Sequence, residues 1–169
     1  MGMVDQLQEL HAFLGGVKDF LSAMKVDVCA SDTWTPSNIN EKLSMARGYL
    51  NLICASELDY KQRVEIARLD VEIVKNDRVD ALRNIMYGQE KPIEGKTKEE
   101  RDSRAEMLLE KAGNSAEVLR KKENLYGAMK AALGMLESAK KNLDGCRRDL
   151  VGQLAALKVE RGIGLGFDE

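Results

Sequence analysis

The feature that most constrains the fold is an apolar repeat across residues 43–85, in which steps of three and four residues alternate for six heptads. Eleven of its thirteen positions are apolar, counting Tyr60. The positions are Leu43, Ala46, Leu50, Ile53, Glu57, Tyr60, Val64, Ala67, Val71, Val74, Arg78, Ala81 and Ile85. A period of 3.5 residues held over this length predicts one long α-helix that supercoils against a partner helix. Glu57 and Arg78 interrupt the repeat, and isolated polar residues at such positions fix register or oligomeric state at some cost in stability.

A second apolar stripe lies in the last third of the chain and supplies the partner helix. Its members are Val118, Lys122, Leu125, Met129, Ala132, Leu136, Ala139, Leu143, Cys146, Leu150 and Leu157. The segment between the two stripes contains the turn residues Gly88, Pro92 and Gly95. Two stripes of matched length, joined by a short turn-rich linker, predict an all-α protein built on a long, coiled-coil-like antiparallel hairpin.

Capping residues mark where helices begin. Thr35 or Ser37 can accept from the first amides of the first long helix, and Pro36 suits its first position. Thr97 and Glu100 have the spacing of a capping box, which opens a further helix. The chain therefore divides into three parts: an N-terminal amphipathic helix and connector at 1–36, the hairpin at 37–161, and a flexible tail at 162–169. Within the hairpin the linker lies at 88–97, and a short helix at 98–112 precedes the long helix at 115–161.

The N-terminal segment from Val4 to Met24 repeats leucine and valine at helical spacing, so it predicts a short amphipathic helix that must dock on another surface, in the same chain or in another subunit. Gly15 and Gly16 lie in its middle, and each weakens a helix by roughly 1 kcal/mol relative to alanine. We expect this pair to be the point at which the helix kinks or breaks.

Composition leaves the partner open. The 169 residues are 44% apolar, 32% charged and 5% aromatic, which favours long helices over a thick core. Lysine and arginine (26) nearly balance aspartate and glutamate (28), so any nucleic-acid surface has to be a local face. The final helix, 115–161, holds ten basic and six acidic side chains. Such a face can bind phosphates, but a solvated helix surface has the same composition.

Catalytic and metal-binding patterns are missing from the sequence. The only histidine, His11, is placed on the apolar side of the first helix, where a packed or partly exposed residue is the simpler interpretation. Cys29, Cys54 and Cys146 lack zinc-site spacing and are read as reduced thiols. We expect no enzyme activity, cofactor or metal. A signal peptide and a membrane span are also missing, which favours a cytoplasmic location, in the host cytoplasm if the protein is phage-encoded.

Basic residues and one tyrosine cluster around the predicted hairpin tip. Tyr87 follows Arg83 and precedes three lysines, Lys91, Lys96 and Lys98. Cations that track a backbone and aromatic rings that stack on bases are typical of single-stranded nucleic-acid binding. Tyr87 could equally cap the helix end by packing on Ile93.

The order of features from Ala46 to Gly162 resembles the UvsY-like recombination mediators of tailed phages. The residues that carry the resemblance are the basic-plus-tyrosine helix ending RVDALRNIMYG (Arg78 to Gly88), Leu125-Tyr126, Leu143 and the Arg161-Gly162 ending of the last helix. The resemblance covers about two thirds of the chain. It implies single-stranded DNA binding, assembly into rings, and two protein partners, a recombinase and a single-strand-binding protein.

Transferred to this sequence, the resemblance implies DNA contacts by Arg78, Arg83 and Tyr87, with Lys75 behind them. Two departures weaken the transfer. Asp77 and Asp80 lie among the basic residues, and the first 36 residues have no counterpart in the family.

Three functions follow from these observations. The first is a non-enzymatic, homo-oligomeric, single-stranded-DNA-binding accessory protein of recombination. The second is a structural or assembly coiled-coil protein, such as a virion or scaffold component, without nucleic-acid binding. The third is an inhibitor that blocks a partner with a helical face. Apolar residues outside the hairpin repeat favour packing between subunits; they are Leu52, Leu58, Ile66, Leu69 and Ile73.

Overall fold

A computed structural model describes residues 3–28, 35–87, 93, 95–113 and 116–160. Within these residues it contains four helices and no strand: α1 (Met3–Val28), α2 (Pro36–Tyr87), α3 (Lys98–Lys111) and α4 (Ala116–Glu160). The long helix α2 packs antiparallel against α4, so the predicted all-α hairpin with a short N-terminal helix is confirmed. Lys91 and the predicted tail at 162–169 lie outside the described residues.

The start of α2 follows from its cap. The Thr35 hydroxyl accepts a hydrogen bond from the Asn38 amide at 3.2 Å, and the Thr35 carbonyl accepts from the Ile39 amide at 3.1 Å. Pro36 occupies the first helical position, where the missing N–H is not needed. Of the two predicted caps, Thr35 is therefore the one that acts.

The heptad repeat of α2 forms the buried face of the hairpin. All thirteen repeat positions are buried or half-buried, and the side chains of Ala46 and Ile53 are fully buried. On α4, Ala132, Leu136 and Leu143 are fully buried in the same way, whereas Val118 at the start of the predicted stripe is exposed. The periodicity therefore identifies the interface correctly over nearly all of its length.

The chain forms two compact units. The first unit, Met1–Tyr60 with Ala132–Glu169, combines α1 with one part of α2 and one part of α4. Tyr49 of α2 contacts two phenylalanines of α1, with ring centroids 6.2 Å from Phe13 and 5.4 Å from Phe20. Helix α1 thus docks on the hairpin of its own chain.

Helix α1 runs unbroken through Gly15 and Gly16, so the expected break is wrong. The next turn explains why. Val17 and Phe20 are buried, and the free energy of burying them holds the helix where the local propensity is weak. Tertiary packing therefore decides that the helix continues through this glycine pair, and the local sequence pattern does not show how strong that packing is.

The second unit, Lys61–Ala131, combines the remainder of α2 with α3 and the start of α4. The apolar side of α3 is buried through Ala105 and Leu109. At its N-terminus the Thr97 hydroxyl accepts from the Glu100 amide at 3.2 Å, and the Glu100 carboxylate accepts from the Lys96 amide at 2.8 Å. The capping interaction is therefore present, with Lys96 replacing Thr97 as the donor to the carboxylate.

Helix α3 ends in a left-handed turn. Its last carbonyls accept from the Ala112 and Gly113 amides, and Gly113 has a φ of +81°. A residue with a side chain is strained in this conformation, which explains glycine at this position.

Candidate interaction surfaces

The two polar residues of the heptad repeat are held by ion pairs with other helices. In the first unit, Lys140 of α4 donates to Glu57 at 2.7 Å, and this hydrogen bond raises the pKa of Lys140. Glu57 is 8% exposed, so Lys140 compensates an almost fully buried carboxylate. In the second unit, Arg78 donates to Glu106 of α3 at 2.6 Å. Both polar positions therefore fix how helices align inside the chain.

This arrangement changes the interpretation of two predicted DNA contacts. The Arg78 side chain is only 16% exposed and is bound to Glu106. Lys75 lies 2.9 Å from Glu123 of α4. A cation that already neutralises a carboxylate has less to offer to a phosphate, because binding DNA requires breaking the internal pair.

The other predicted DNA contacts that the structure describes are exposed. Arg83 lies 3.5 Å from Asp80, one of the two acidic residues that weaken the resemblance to the phage family. Tyr87, the last residue of α2, is 82% exposed. Lys96 and Lys98 are exposed at the start of α3. The structure thus leaves Arg83 and Tyr87 accessible, while Lys75 and Arg78 take part in holding the helices together.

The described residues contain no group of histidine, cysteine, aspartate and glutamate side chains that could hold a metal ion. His11 is exposed rather than packed, and its Nδ1 lies 3.3 Å from the Leu7 carbonyl oxygen. Among the described helices none is long and apolar enough to cross a membrane.

A cavity of about 350 Å³ lies between α1 and α4 in the first unit. Leu21 and Met24 of α1 line it, together with seven residues of α4: Lys141, Asn142, Gly145, Cys146, Asp149, Leu150 and Gln153. Burial raises the pKa of the Cys146 thiol. The Gln153 Oε1 atom is buried without a hydrogen-bond partner in the described part of the chain. Small-molecule sites generally combine polar groups converging from several elements, but the polar side chains here all come from α4.

No protein-family model, curated protein or solved structure matches this chain.

The most distinctive surface is a second heptad repeat on the face of α2 that points away from the buried one. We call it the outer stripe; its positions are Met45, Gly48, Leu52, Ala55, Asp59, Gln62, Ile66, Leu69, Ile73 and Asn76. In the first unit Leu52 is 57% exposed. In the second unit Ile66 and Ile73 are 61% and 56% exposed. Repeating large apolar side chains at this spacing on a solvent face are typical of a helix with a further partner.

The sequence alone contains this signal. In the sequence, several of these residues are recognisable as apolar positions outside the hairpin repeat. Their spacing of three and four residues indicates a second interface only after the first repeat has been assigned to the interior of the chain. The outer stripe starts two residues after the first repeat and keeps this offset from it along the helix. Two repeats on opposite faces of one helix predict two partners for that helix.

Charged residues border the outer stripe in the second unit. Arg68 donates to Glu65 at 2.6 Å and to Glu72 at 2.7 Å. The hydrogen bond from Arg68 lowers the pKa of Glu65. One edge of the stripe therefore carries two carboxylates and one guanidinium in fixed positions, and a bound helix has to avoid further acidic groups there.

Proposed function

We propose that this chain is a non-enzymatic helical assembly protein that forms a homo-oligomer by packing helices along the outer stripe of α2. The observation that supports the proposal is the exposure of Leu52, Ile66 and Ile73 at heptad spacing. Burying such a side chain fully contributes roughly 1.5–3 kcal/mol, so even half of that area, summed over the stripe, favours association. Isolated exposed leucines are common on protein surfaces and would not indicate association, whereas a row of apolar side chains at heptad spacing does.

Sedimentation equilibrium over a range of protein concentrations tests this proposal. We expect the native chain to associate and the double variant Ile66→Lys/Ile73→Lys to sediment as a monomer, because two ammonium groups would have to be desolvated in the interface. Val151→Lys is the matched control: Val151 is exposed to a similar extent on α4, and its replacement should leave association unchanged. Circular dichroism checks that each variant keeps its helix content. A native chain that is monomeric at every concentration would contradict the proposal.

Single-stranded DNA binding is the second candidate function, and the exposed Tyr87 at the end of α2 favours it. Its ring, beside Arg83, can stack on a base, and such stacking is worth about 1–3 kcal/mol per base. This function is compatible with assembly, since Tyr87 lies outside the outer stripe. It makes the protein an accessory factor of recombination, with a recombinase and a single-strand-binding protein as partners in the cytoplasm of a phage-infected host.

Fluorescence polarisation with a short single-stranded oligonucleotide at low and moderate salt tests DNA binding. We expect salt-sensitive binding that Tyr87→Ala weakens about tenfold, the loss of one stacked base. Arg83→Ala should weaken binding and reduce its salt dependence. Lys18→Ala, which removes an exposed cation of α1, serves as the control. If the oligonucleotide does not bind at low salt, the assembly function stands alone.

A further inference from the structure

The outer stripe fits a second copy of itself in one orientation. We propose that two chains pair through α2 against α2, antiparallel, about a twofold axis centred between Asp59 and Gln62. This inference rests on the proposed assembly function and specifies its interface. In this register each outer-stripe residue meets one of the second copy. The levels pair Met45 with Asn76, Gly48 with Ile73, Leu52 with Leu69, Ala55 with Ile66, and Asp59 with Gln62.

Side-chain size supports this register. The two isoleucines, Ile66 and Ile73, face the two small residues of the stripe, Ala55 and Gly48. Interdigitating large and small residues lets helices approach closely and fill the space between them. A Cβ added at Gly48 would have no atom within 4 Å in the single chain, so this position is open to an incoming side chain. The remaining apolar level pairs Leu52 with Leu69 of the second copy.

The polar residues of the stripe support the same register. Asp59 and Gln62 face each other on both sides of the axis, where the Gln62 amide can donate to the Asp59 carboxylate of the second copy. One polar level in an apolar seam is the usual device that fixes register. In a parallel dimer each residue would face its own copy, so the two Asp59 carboxylates would meet.

Charges along the edges disfavour two alternative arrangements. In the proposed register the edge residues that meet are Leu58 with Glu65, Asn51 with Glu72 and Ser56 with Arg63. None of these three pairs brings two like charges together; the like charges Glu41 and Asp80 would meet only beyond the stripe, near the helix ends. A parallel dimer would bring Glu72 close to Asp77 of the second copy, and an antiparallel dimer shifted by two heptads towards the C-terminus would bring Glu65 close to Glu72. Like charges brought together in this way suppress the wrong pairings.

The contact is long enough to be specific. From Met45 to Asn76 the helix extends about 48 Å, and a contact strip about 10 Å wide covers roughly 500 Å² on each copy. The total of about 1,000 Å² lies at the lower limit for a specific protein–protein interface. The dimer is therefore expected to dissociate within the concentration range that sedimentation equilibrium can follow.

Two substitutions at Gln62 test the register, because they have opposite effects only if Asp59 of the second copy faces this position. Gln62→Lys places an ammonium group against that carboxylate and should tighten the dimer about threefold to tenfold. Gln62→Glu places a like charge there and should weaken it by a similar factor. In a parallel dimer position 62 faces itself, so both substitutions would weaken association and overturn the register.

Chemical cross-linking gives an independent readout. Two single-cysteine chains, Ala55→Cys and Ile66→Cys, are prepared with Cys29, Cys54 and Cys146 replaced by alanine, and are treated with a short bismaleimide. We expect a cross-linked dimer when the two chains are mixed and little when either is treated alone. Homodimers of Ile66→Cys alone would overturn the antiparallel arrangement. If the cysteine chains fail to cross-link but the native chain still associates and Ile66→Lys/Ile73→Lys does not, only the register is overturned. If the native chain is monomeric, the assembly function is overturned as well.

Discussion

Individual residues of α2 show that the face on which a charged side chain lies determines whether it pairs with another helix of the chain. Glu57 and Arg78 both interrupt the apolar repeat, and each is bound to a charge from another helix, Lys140 or Glu106. Asp59 belongs to the outer stripe instead. The sequence predicts that Glu57 and Arg78 fix an alignment, because a polar group on a buried face needs a partner. It does not reveal the partner, since many lysines and glutamates have suitable spacing on the other helices.

The Glu57–Lys140 pair is expected to respond asymmetrically to substitution. Lys140→Met leaves the Glu57 carboxylate buried without its cation, which costs about 2 kcal/mol. In Glu57→Leu/Lys140→Met an apolar contact replaces the ion pair, so stability should return to at least the native level. Urea denaturation of the native chain and both variants measures this. Equal stability of the single and double variants would show that Glu57 does not need Lys140.

The same pair predicts a pH dependence with a defined sign. Because the hydrogen bond to Glu57 raises the pKa of Lys140, the folded chain holds this proton more tightly than the unfolded chain. The stabilisation is complete below the ordinary lysine pKa of about 10.4 and is lost as the pH rises through the raised value. Denaturation at pH 8 and pH 11 should therefore show a larger alkaline loss for the native chain than for the double variant.

At the scale of the helices, periodicity and capping chemistry were sufficient to predict the architecture. The repeat of α2, the Thr35 cap and the start of α3 at Lys98 all follow from local residue types. The expected break at Gly15 and Gly16 was wrong, because helix propensity is a weak term once Val17 and Phe20 are buried. Lys75 was predicted to bind DNA, and its pairing with Glu123 depends on the hairpin register, which no single segment encodes.

Two glycines in different backbone conformations should respond in opposite directions to alanine. Gly113 has a φ of +81°, so Gly113→Ala strains the turn after α3 and should lower the free energy of unfolding by about 1 kcal/mol. Gly134 lies within α4, exposed and with open space around its Cβ direction. Gly134→Ala should raise the free energy of unfolding by about 0.5–1 kcal/mol. Urea denaturation compares the two, and a loss at both sites would contradict the assigned conformations.

At the scale of the whole molecule, α2 is the element on which the proposed assembly depends. One of its faces is buried against other helices of the chain, and the outer stripe on the opposite face is exposed in both compact units. A single chain buries only one of the two apolar faces of α2, so the proposed association would bury the other. The DNA-binding candidates Arg83 and Tyr87 lie beyond the stripe at the end of α2.

Association of this kind couples stability to protein concentration. The proposed dimer would contain only folded chains, so mass action would shift the unfolding equilibrium towards the folded state as concentration rises. We expect the thermal midpoint of the native chain to increase over a hundredfold rise in concentration, by up to a few degrees. Ile66→Lys/Ile73→Lys should have a midpoint that does not depend on concentration, while Val151→Lys should behave as the native chain does. If the midpoint of the native chain also stays constant, folding is complete within one copy and the outer stripe contributes nothing to it.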